Sequence, residues 1–209
     1  MSGSASVPPD LVVGFDLDMT LIDTVPGFRA VLRALGEELG VDFPVEAMTA
    51  VLGPPLETIL APFLPPDEVA AAGDRFRALY PAYGVESVAL LPGAREALAA
   101  VRDRGGRVMV VTGKFAPNAR LHLEHLGVEV DVLEGSVWGA GKAAALRREG
   151  ASVYVGDHVH DVEGALAARI TSVSVTTGGC TAAELRAAGT HAVLDSLGDF
   201  PSWLSTRVA

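Results

Sequence analysis

The sequence predicts an α/β protein with a doubly wound parallel sheet and an inserted helical subdomain. Short runs rich in Val alternate with helical stretches rich in Ala, Leu and Arg, which indicates a parallel sheet covered on both faces. The interval 25–87 breaks this rhythm, because it carries helical patterns and no convincing strand. These two observations define the predicted architecture.

The strands of the predicted sheet are short apolar runs that end at turns or polar residues. In a doubly wound sheet their carboxyl ends share one edge, which is where ligands bind. We expect strands at 11–16, 107–112, 129–133, 152–156 and 171–176, with a weak edge strand at 191–194.

The interval between the first two strands is too long for a direct crossover, which needs only about a dozen residues. We therefore expect a helical subdomain over 25–87 and a core domain made of 11–24 and 88–209, with a flexible tail over 1–10. Pro81 is among several prolines expected to mark turns.

Composition excludes several classes of function. The formal net charge of -10 argues against a nucleic-acid partner, because phosphate backbones are bound by basic patches. No apolar run reaches the roughly 18 residues of a membrane span, and residues 1–10 lack the features of a signal peptide. The single cysteine, Cys180, excludes an intrachain disulfide and fits a reducing cytoplasm. We expect a cytoplasmic protein, with its oligomeric state open.

The most informative stretch is LVVGFDLDMTLIDT at 11–24, where an apolar run ends in Asp16 and Asp18. Residues i and i+2 of a strand point the same way, so both carboxylates can face one spot. Two neighbouring carboxylates repel and raise each other's pKa unless a cation or a reaction uses both. The pair therefore predicts a functional site.

Later strands supply partners for this pair. Thr112 ends the second strand, and Asp157 and Asp161 follow the fourth. The chain has only two lysines among its 16 basic residues, and both lie nearby: Lys114 follows the second strand, and Lys142 opens a helical segment. A compact ammonium suits a phosphoryl group as a point charge.

These residues, taken together, resemble the haloacid dehalogenase (HAD) superfamily of phosphotransferases over nearly the whole chain. The phrase LLPGAREALAAVRDRG and Thr112-Gly113-Lys114 are similar to its phosphoglycolate phosphatase-like branch, although that branch more often carries Asn at the position of Gly113. The four motifs match in order: Asp16, Asp18 and Thr20 fit DxDxT, Thr112 and Lys142 fit the second and third motifs, and Asp157 with Asp161 fit GDxxxD.

The resemblance implies a Rossmann-like core, an α-helical cap over the site and a catalytic role for several residues. Asp16 would be the nucleophile that forms an aspartyl phosphate, and Asp18 the general acid and base. Thr112 and Lys142 would stabilise the phosphoryl group, and Thr20 would orient Asp18. Dehalogenase members lack the second aspartate, so its presence favours phosphate esters.

The resemblance also implies Mg²⁺, since hard oxygen ligands and a phosphate substrate suit this ion. The family pattern assigns the metal to the Asp16 carboxylate, the Asp18 backbone carbonyl and the Asp157 carboxylate. Asp161 would lie close by or act through water.

The expected substrate is a small phosphorylated metabolite, with phosphoglycolate as the first candidate. Thr20, Gly113, Lys114 and Arg29 are the candidate substrate-binding residues. Lys114 could instead pair with a carboxylate. The segment GPPLETIL at 53–60 is expected to face the site.

Several alternatives remain open or fail on the residues. A P-loop fails because Ser136 stands where the motif needs glycine. A zinc site at His158 and His160 has only weak support, and His122 and His125 are expected on the surface. A receiver domain is disfavoured by the insertion at 25–87. A sugar phosphomutase, pyrophosphatase or nucleotidase on the same fold remains possible.

Overall fold

A six-stranded parallel sheet forms the centre of the structure, a computed structural model that describes residues 11–50 and 52–206. The predicted tail over 1–10 lies outside the described residues. The order of the sheet is β5-β4-β1-β6-β7-β8, and β2 pairs with β3 separately. The strands are β1 (Val12–Phe15), β2 (Ile22–Asp23), β3 (Ala89–Leu90), β4 (Arg107–Val111), β5 (Val132–Glu134), β6 (Val153–Gly156), β7 (Thr171–Val175) and β8 (Ala192–Leu194).

Helices surround this sheet and fill the long interval after β2. None of those in the described residues is long and apolar enough to cross a membrane. Short 3-10 helices lie at Ala61–Phe63, Gly139–Gly141 and Leu197–Asp199. The α-helices are α1 (Val25–Leu39), α2 (Val45–Thr49), α3 (Leu56–Leu60), α4 (Val69–Tyr83), α5 (Ala94–Arg102), α6 (Ala116–His125), α7 (Lys142–Arg148), α8 (Val159–Ala168), α9 (Ala182–Ala187) and α10 (Phe200–Ser205).

Both faces of the sheet are buried, as the apolar strands predict. Side chains alternate along each strand, so Val108 and Val110 join the core that includes α5 and α10. Met109 and Val111 point to the opposite face and pack with α7 and α8. The predicted doubly wound α/β class is confirmed.

Two details of the strands differ from the prediction. β5 begins at Val132 rather than at 129, because the Asp131 carboxylate accepts the Val108 amide at 2.7 Å and so replaces a strand carbonyl. The pair β2 and β3 was not predicted, since two residues in each strand are too few for a periodic pattern. This pair brackets the chain that enters and leaves the inserted helices.

Helices α1 to α4 pack around an apolar core of their own. The chain turns after α1 at Gly40, whose φ of 66° is the left-handed conformation that favours glycine. The core side chains include Phe28, Leu32, Leu35, Phe76 and Leu79. We call residues 25–83 the cap helices.

Pro81 does not mark a turn as expected, because it lies inside α4. A helical proline leaves the carbonyl of the fourth preceding residue without its N–H donor. Here that carbonyl belongs to Arg77, and it faces the Asn118 side-chain amide of α6 at 3.5 Å. The proline thus opens a contact between the cap helices and the core.

The order of the sheet explains where a site can form. From β1 the chain builds β4 and β5 on one side, and then β6, β7 and β8 on the other. The crevice beside such a reversal lies at the carboxyl ends of the strands. The residues that follow β1, β4 and β6 therefore meet at one place.

Candidate active site

A cavity of about 320 Å³ lies between the carboxyl edge of the sheet and the cap helices. Its upper wall is mainly apolar, with Phe28, Ile59 and Phe76 contributed by the cap helices. The segment 53–60, which was expected to face the site, runs along it from Gly53 to Ile59. The floor of the cavity consists of Asp16, Asp18, Thr112, Lys142, Asp157 and Asp161.

Lys142 forms the centre of the floor. Its Nζ donates to Asp16 Oδ1 at 2.8 Å, to Asp161 Oδ1 at 2.6 Å and to Tyr154 Oη at 2.9 Å. An ammonium has three N–H donors, so all of them are used. Tyr154 donates in turn to the Val111 carbonyl, which ties the network to β4. Lys142 therefore has a defined position between two buried carboxylates.

Asp157 and Asp161 are held by the start of α8. Asp161 occupies the third position of this helix and accepts the His158 amide at 3.1 Å, which completes a capping box. Asp157 is buried against Gly178, where a Cβ would fall 1.8 Å from its Oδ2. Glycine at 178 therefore leaves the room that the carboxylate occupies.

The prediction that Thr20 orients Asp18 or binds substrate is wrong for this structure. Thr20 is fully buried, and its hydroxyl donates to Asp157 Oδ1 at 2.6 Å. The chain reverses at Met19, whose φ is 59°, and this turn carries Thr20 back into the core. Thr20 supports Asp157 instead.

Thr112 and Gly113 line the cavity at the end of β4, as their positions after the strand imply. Thr112 is buried, and its hydroxyl oxygen accepts the Lys114 amide at 3.2 Å. Its hydroxyl hydrogen remains available for a phosphoryl oxygen.

Lys114 joins Asp18 to the cap helices. Its Nζ donates to Asp18 Oδ1 at 2.9 Å and to the hydroxyl of Tyr80, in α4, at 2.8 Å. His122 lies behind Tyr80, with 3.2 Å between its Nε2 and the tyrosine oxygen. Lys114 thus pairs with a carboxylate and also lines the cavity.

Burial and mutual repulsion shift the ionisation of the carboxylates. Burial raises the pKa of Asp16 to about 7; Lys142 opposes this shift, whereas Asp161 and Asp18 add to it. Burial, aided by Asp161 and Asp16, also raises the pKa of Asp157 well above its usual range. Asp16 and Asp161 hold the pKa of Lys142 well above its usual range against the effect of burial. The floor therefore favours additional positive charge.

The donor set fits Mg²⁺. Oxygen atoms of Asp16, Asp157 and Asp161 lie within 4.8 Å of one another. With Asp18, four carboxylates face the ammonium groups of Lys142 and Lys114, which leaves a formal charge of -2. A divalent cation balances this charge, and carboxylate oxygens are its preferred ligands. The Asp18 carboxylate lies outside this cluster, and the role of its backbone carbonyl as a ligand stays a prediction.

Arg29 does not lie in the cavity, contrary to the prediction that it binds substrate. Its guanidinium pairs with Glu46 at the surface of the cap helices. The arginine of these helices that lines the cavity is Arg77, and it pairs with Glu57 and Asp74. Helical position decides the difference, because in α1 it is Phe28 and not Arg29 that lines the cavity, whereas in α4 Arg77 lies on the lining face.

The histidines also differ from expectation. His122 is fully buried rather than exposed, whereas His125 lies on the surface. The ring of His160 contacts that of Trp138 in a tilted arrangement, with centroids 3.8 Å apart, and its backbone amide donates to His158 Nδ1 at 3.3 Å. Residues 11–50 and 52–206 contain one group of side chains that could hold a metal ion, the cluster of Asp16, Asp157 and Asp161. Neither His158 nor His160 belongs to it.

Sequence reasoning missed the tyrosines of the site. Tyr154 lies between Val153 and Val155 in a wholly buried strand, so its hydroxyl needed a buried partner. That signal was present in the sequence. Tyr80 carried no comparable signal, because its role depends on how α4 packs against α6.

Comparison with known proteins agrees with this geometry. The model of the haloacid dehalogenase-like hydrolases matches residues 13–166, and the chain belongs to this family. The tyrosine-protein kinase PtkA of Mycobacterium tuberculosis is 32% identical over an alignment of 191 residues that covers 85% of this chain and 65% of the relative. A phosphoglycolate phosphatase of Cereibacter sphaeroides is 30% identical over 186 residues, covering 79% of this chain and 85% of the relative.

Solved structures share the fold. A haloacid dehalogenase-like hydrolase from Streptococcus pneumoniae superposes with a TM-score of 0.81 at 22% identity, over 96% of this chain and 99% of the other.

The chain spans 65% of the length of its mycobacterial relative, so the activity of that whole protein does not transfer with the match.

The raised pKa of Asp16 predicts how metal and pH act on stability. In metal-free protein the folded state binds more protons than the unfolded state between the ordinary pKa of 3.8 and about 7. The free energy of unfolding should therefore fall as pH rises through this range, and less so in Asp16→Asn. Because Mg²⁺ binds ionised carboxylates, it should raise Tm more at about pH 8 than at about pH 5. Thermal unfolding measures both effects, and a Mg²⁺ effect independent of pH would contradict the assignment.

Proposed function

We propose that the protein is a magnesium-dependent phosphatase that hydrolyses a small organic phosphomonoester through an aspartyl phosphate on Asp16. The observation that carries the proposal is the position of Asp16. Its carboxylate accepts from the Lys142 ammonium and clusters with the carboxylates of Asp157 and Asp161, at the floor of a cavity. Membership of the hydrolase family supports it.

The first step is displacement at phosphorus. An Asp16 oxygen forms a bond to phosphorus while the ester P–O bond breaks, and Asp18 gives a proton to the departing oxygen. In the second step Asp18 takes a proton from water, which attacks phosphorus and releases Asp16 and inorganic phosphate. The side chains suit this order, because both aspartates line the same cavity.

Charge stabilisation comes from groups that are already in place. Lys142 is fixed by three acceptors and can offset charge on the phosphoryl oxygens without reorganisation. The Thr112 hydroxyl can donate to one of these oxygens. When bound by Asp16, Asp157 and the Asp18 carbonyl, with Asp161 nearby, Mg²⁺ would supply further positive charge.

The cavity suits a compact substrate. The cap helices cover the floor with apolar side chains, which fit a short carbon skeleton and exclude bulk water. Phosphoglycolate is the first candidate, because a relative that is 30% identical is a phosphoglycolate phosphatase. Its carboxylate would meet Lys114 rather than Arg29.

A second candidate is transfer of the phosphoryl group to a tyrosine hydroxyl. It is favoured by the similarity to a tyrosine-protein kinase at 32% identity. The same aspartyl phosphate could react with a phenol instead of water, with Asp18 as the base. The two candidates differ in whether a nucleoside triphosphate is required.

Replacing the nucleophile tests the proposal most simply. Asp16→Asn should abolish Mg²⁺-dependent hydrolysis across a panel of phosphomonoesters, because the amide cannot form the intermediate. Phosphate release is the measurement, with phosphoglycolate, nucleoside monophosphates and hexose phosphates in the panel.

Wild-type turnover by Asp16→Asn, or activity that survives a chelator, would overturn the mechanism. A tenfold preference for nucleotides or hexose phosphates would change the substrate but not the mechanism. Transfer from ATP to a tyrosine peptide, without release of phosphate, would favour the second candidate.

Removing the general acid should discriminate between leaving groups. Asp18→Asn should slow alkyl phosphates by about 10²–10⁴-fold, whereas activated aryl phosphates depart without a strong proton donor and should lose much less. Steady-state kinetics on both ester types measures this. Equal losses would remove Asp18 from the acid role.

Lys142→Ala should cost about 2–4 kcal/mol of transition-state stabilisation, as for other preorganised charge-stabilising groups. The ratio of kcat/KM for the variant and the wild type measures the loss at saturating Mg²⁺, after thermal unfolding has shown that the variant folds. A rate loss below tenfold, together with a larger loss in Lys114→Ala, would assign the role to Lys114.

A further inference from the structure

Lys114 differs from Lys142 in the use of its hydrogen-bond donors. All three N–H groups of Lys142 have acceptors. Lys114 has two within the described residues, Asp18 Oδ1 at 2.9 Å and Tyr80 Oη at 2.8 Å. Its side chain is only 9% exposed, and that surface lines the cavity. One donor of an otherwise fixed ammonium is thus left for a ligand.

Tyr80 holds this ammonium from the side of the cap helices. The tyrosine ring lies under the charge, with Lys114 Nζ 4.5 Å from its centroid, and the hydroxyl oxygen accepts from the ammonium. Because an ammonium can only donate, the tyrosine O–H is directed to another acceptor. His122 Nε2, at 3.2 Å, is that acceptor.

His122 is maintained at a cost to stability. It is fully buried, and within the described residues its Nδ1 has no hydrogen-bond partner. An unpaired buried polar atom costs about 1–3 kcal/mol, so an apolar side chain would suit packing better. Burial lowers the pKa of His122 to about 4, which keeps Nε2 free to accept. The histidine therefore serves Tyr80 rather than the core.

Among the described residues, no other Lys or Arg that lines the cavity is equally free. Arg77 is engaged by Glu57 and Asp74, and Lys142 is saturated. Since Asp18 is the proposed proton donor to the leaving group, an ammonium 2.9 Å from it lies on the leaving-group side.

We propose that Lys114 selects the leaving group, and that Tyr80 and His122 are positioning residues that hold its ammonium for this purpose. The unused N–H of Lys114 donates to an oxygen of a carboxylate or hydroxymethyl group attached to the ester carbon. This inference rests on the proposed phosphatase function and deepens it. Because Tyr80 lies in α4, recognition requires the cap helices and the core together.

Three esters of nearly the same size test the selection: phosphoglycolate, 2-hydroxyethyl phosphate and ethyl phosphate. They share the ester linkage and differ only in the group attached to the ester carbon, which is a carboxylate, a hydroxymethyl or a methyl group. The wild type should prefer at least one of the first two over ethyl phosphate by about tenfold or more in kcat/KM, as expected for a hydrogen bond to a charged group.

Tyr80→Phe removes one hydroxyl and keeps the ring. It should reduce the preference at least about fivefold, mainly through KM for the preferred ester, because the binding of one group is lost. Tyr83→Phe is the matched control, since Tyr83 lies on the same helix, is 50% exposed and makes the same chemical change possible. It should keep the wild-type preference.

His122 provides a second pair of variants. His122→Leu should reduce the preference, with little net change in Tm because the variant loses the unpaired Nδ1 but leaves the Tyr80 O–H unpaired. His122→Gln, which keeps an acceptor near the Tyr80 hydroxyl, should restore part of the preference. Equal losses on all three esters in Tyr80→Phe and His122→Leu would overturn the inference, as would a wild type without preference.

Asp16-dependent hydrolysis of p-nitrophenyl phosphate is measured in parallel. If it is present while the preference is absent, only the inference fails; if it is absent, the proposed function fails and the inference fails with it.

Discussion

The structure depends on a charge imbalance at the carboxyl edge of its sheet. Four carboxylates converge there on two ammonium groups, and Asp16, Asp157 and Asp161 are buried. Buried carboxylates without compensating charge are costly, so each must be hydrogen-bonded, paired or bound to a cation. Lys142, placed between Asp16 and Asp161, meets part of this demand. The negative charge that Lys142 does not compensate suits the binding of a divalent cation.

The fold supplies this arrangement through topology. β1 lies between β4 and β6, so the residues that follow these three strands meet without any long-range adjustment. The first turns of α7 and α8 add Lys142 and Asp161. The cap helices then close the cavity from above. Tyr80 of these helices contacts Lys114 and reaches Asp18 only through it.

The sequence contains much of this information, but unevenly. Asp16, Thr112 and Asp157 were predicted to meet because each follows a buried strand, and parallel strands share an edge. Thr20 and Arg29 were misplaced, because their directions depend on the turn at Met19 and on the rotation of α1, which no local pattern encodes. His122 was misjudged for a related reason. Its burial arises from packing between α4 and α6, which are far apart in the chain.

We propose that one divalent cation balances the excess negative charge at Asp16, Asp157 and Asp161. Isothermal titration calorimetry of metal-free protein with Mg²⁺ tests it most directly, with Asp157→Asn as the comparison. We expect a single site in the wild type, with a loss of affinity of at least about tenfold in the variant. Unchanged Mg²⁺ binding by Asp157→Asn, or no binding by the wild type, would contradict it.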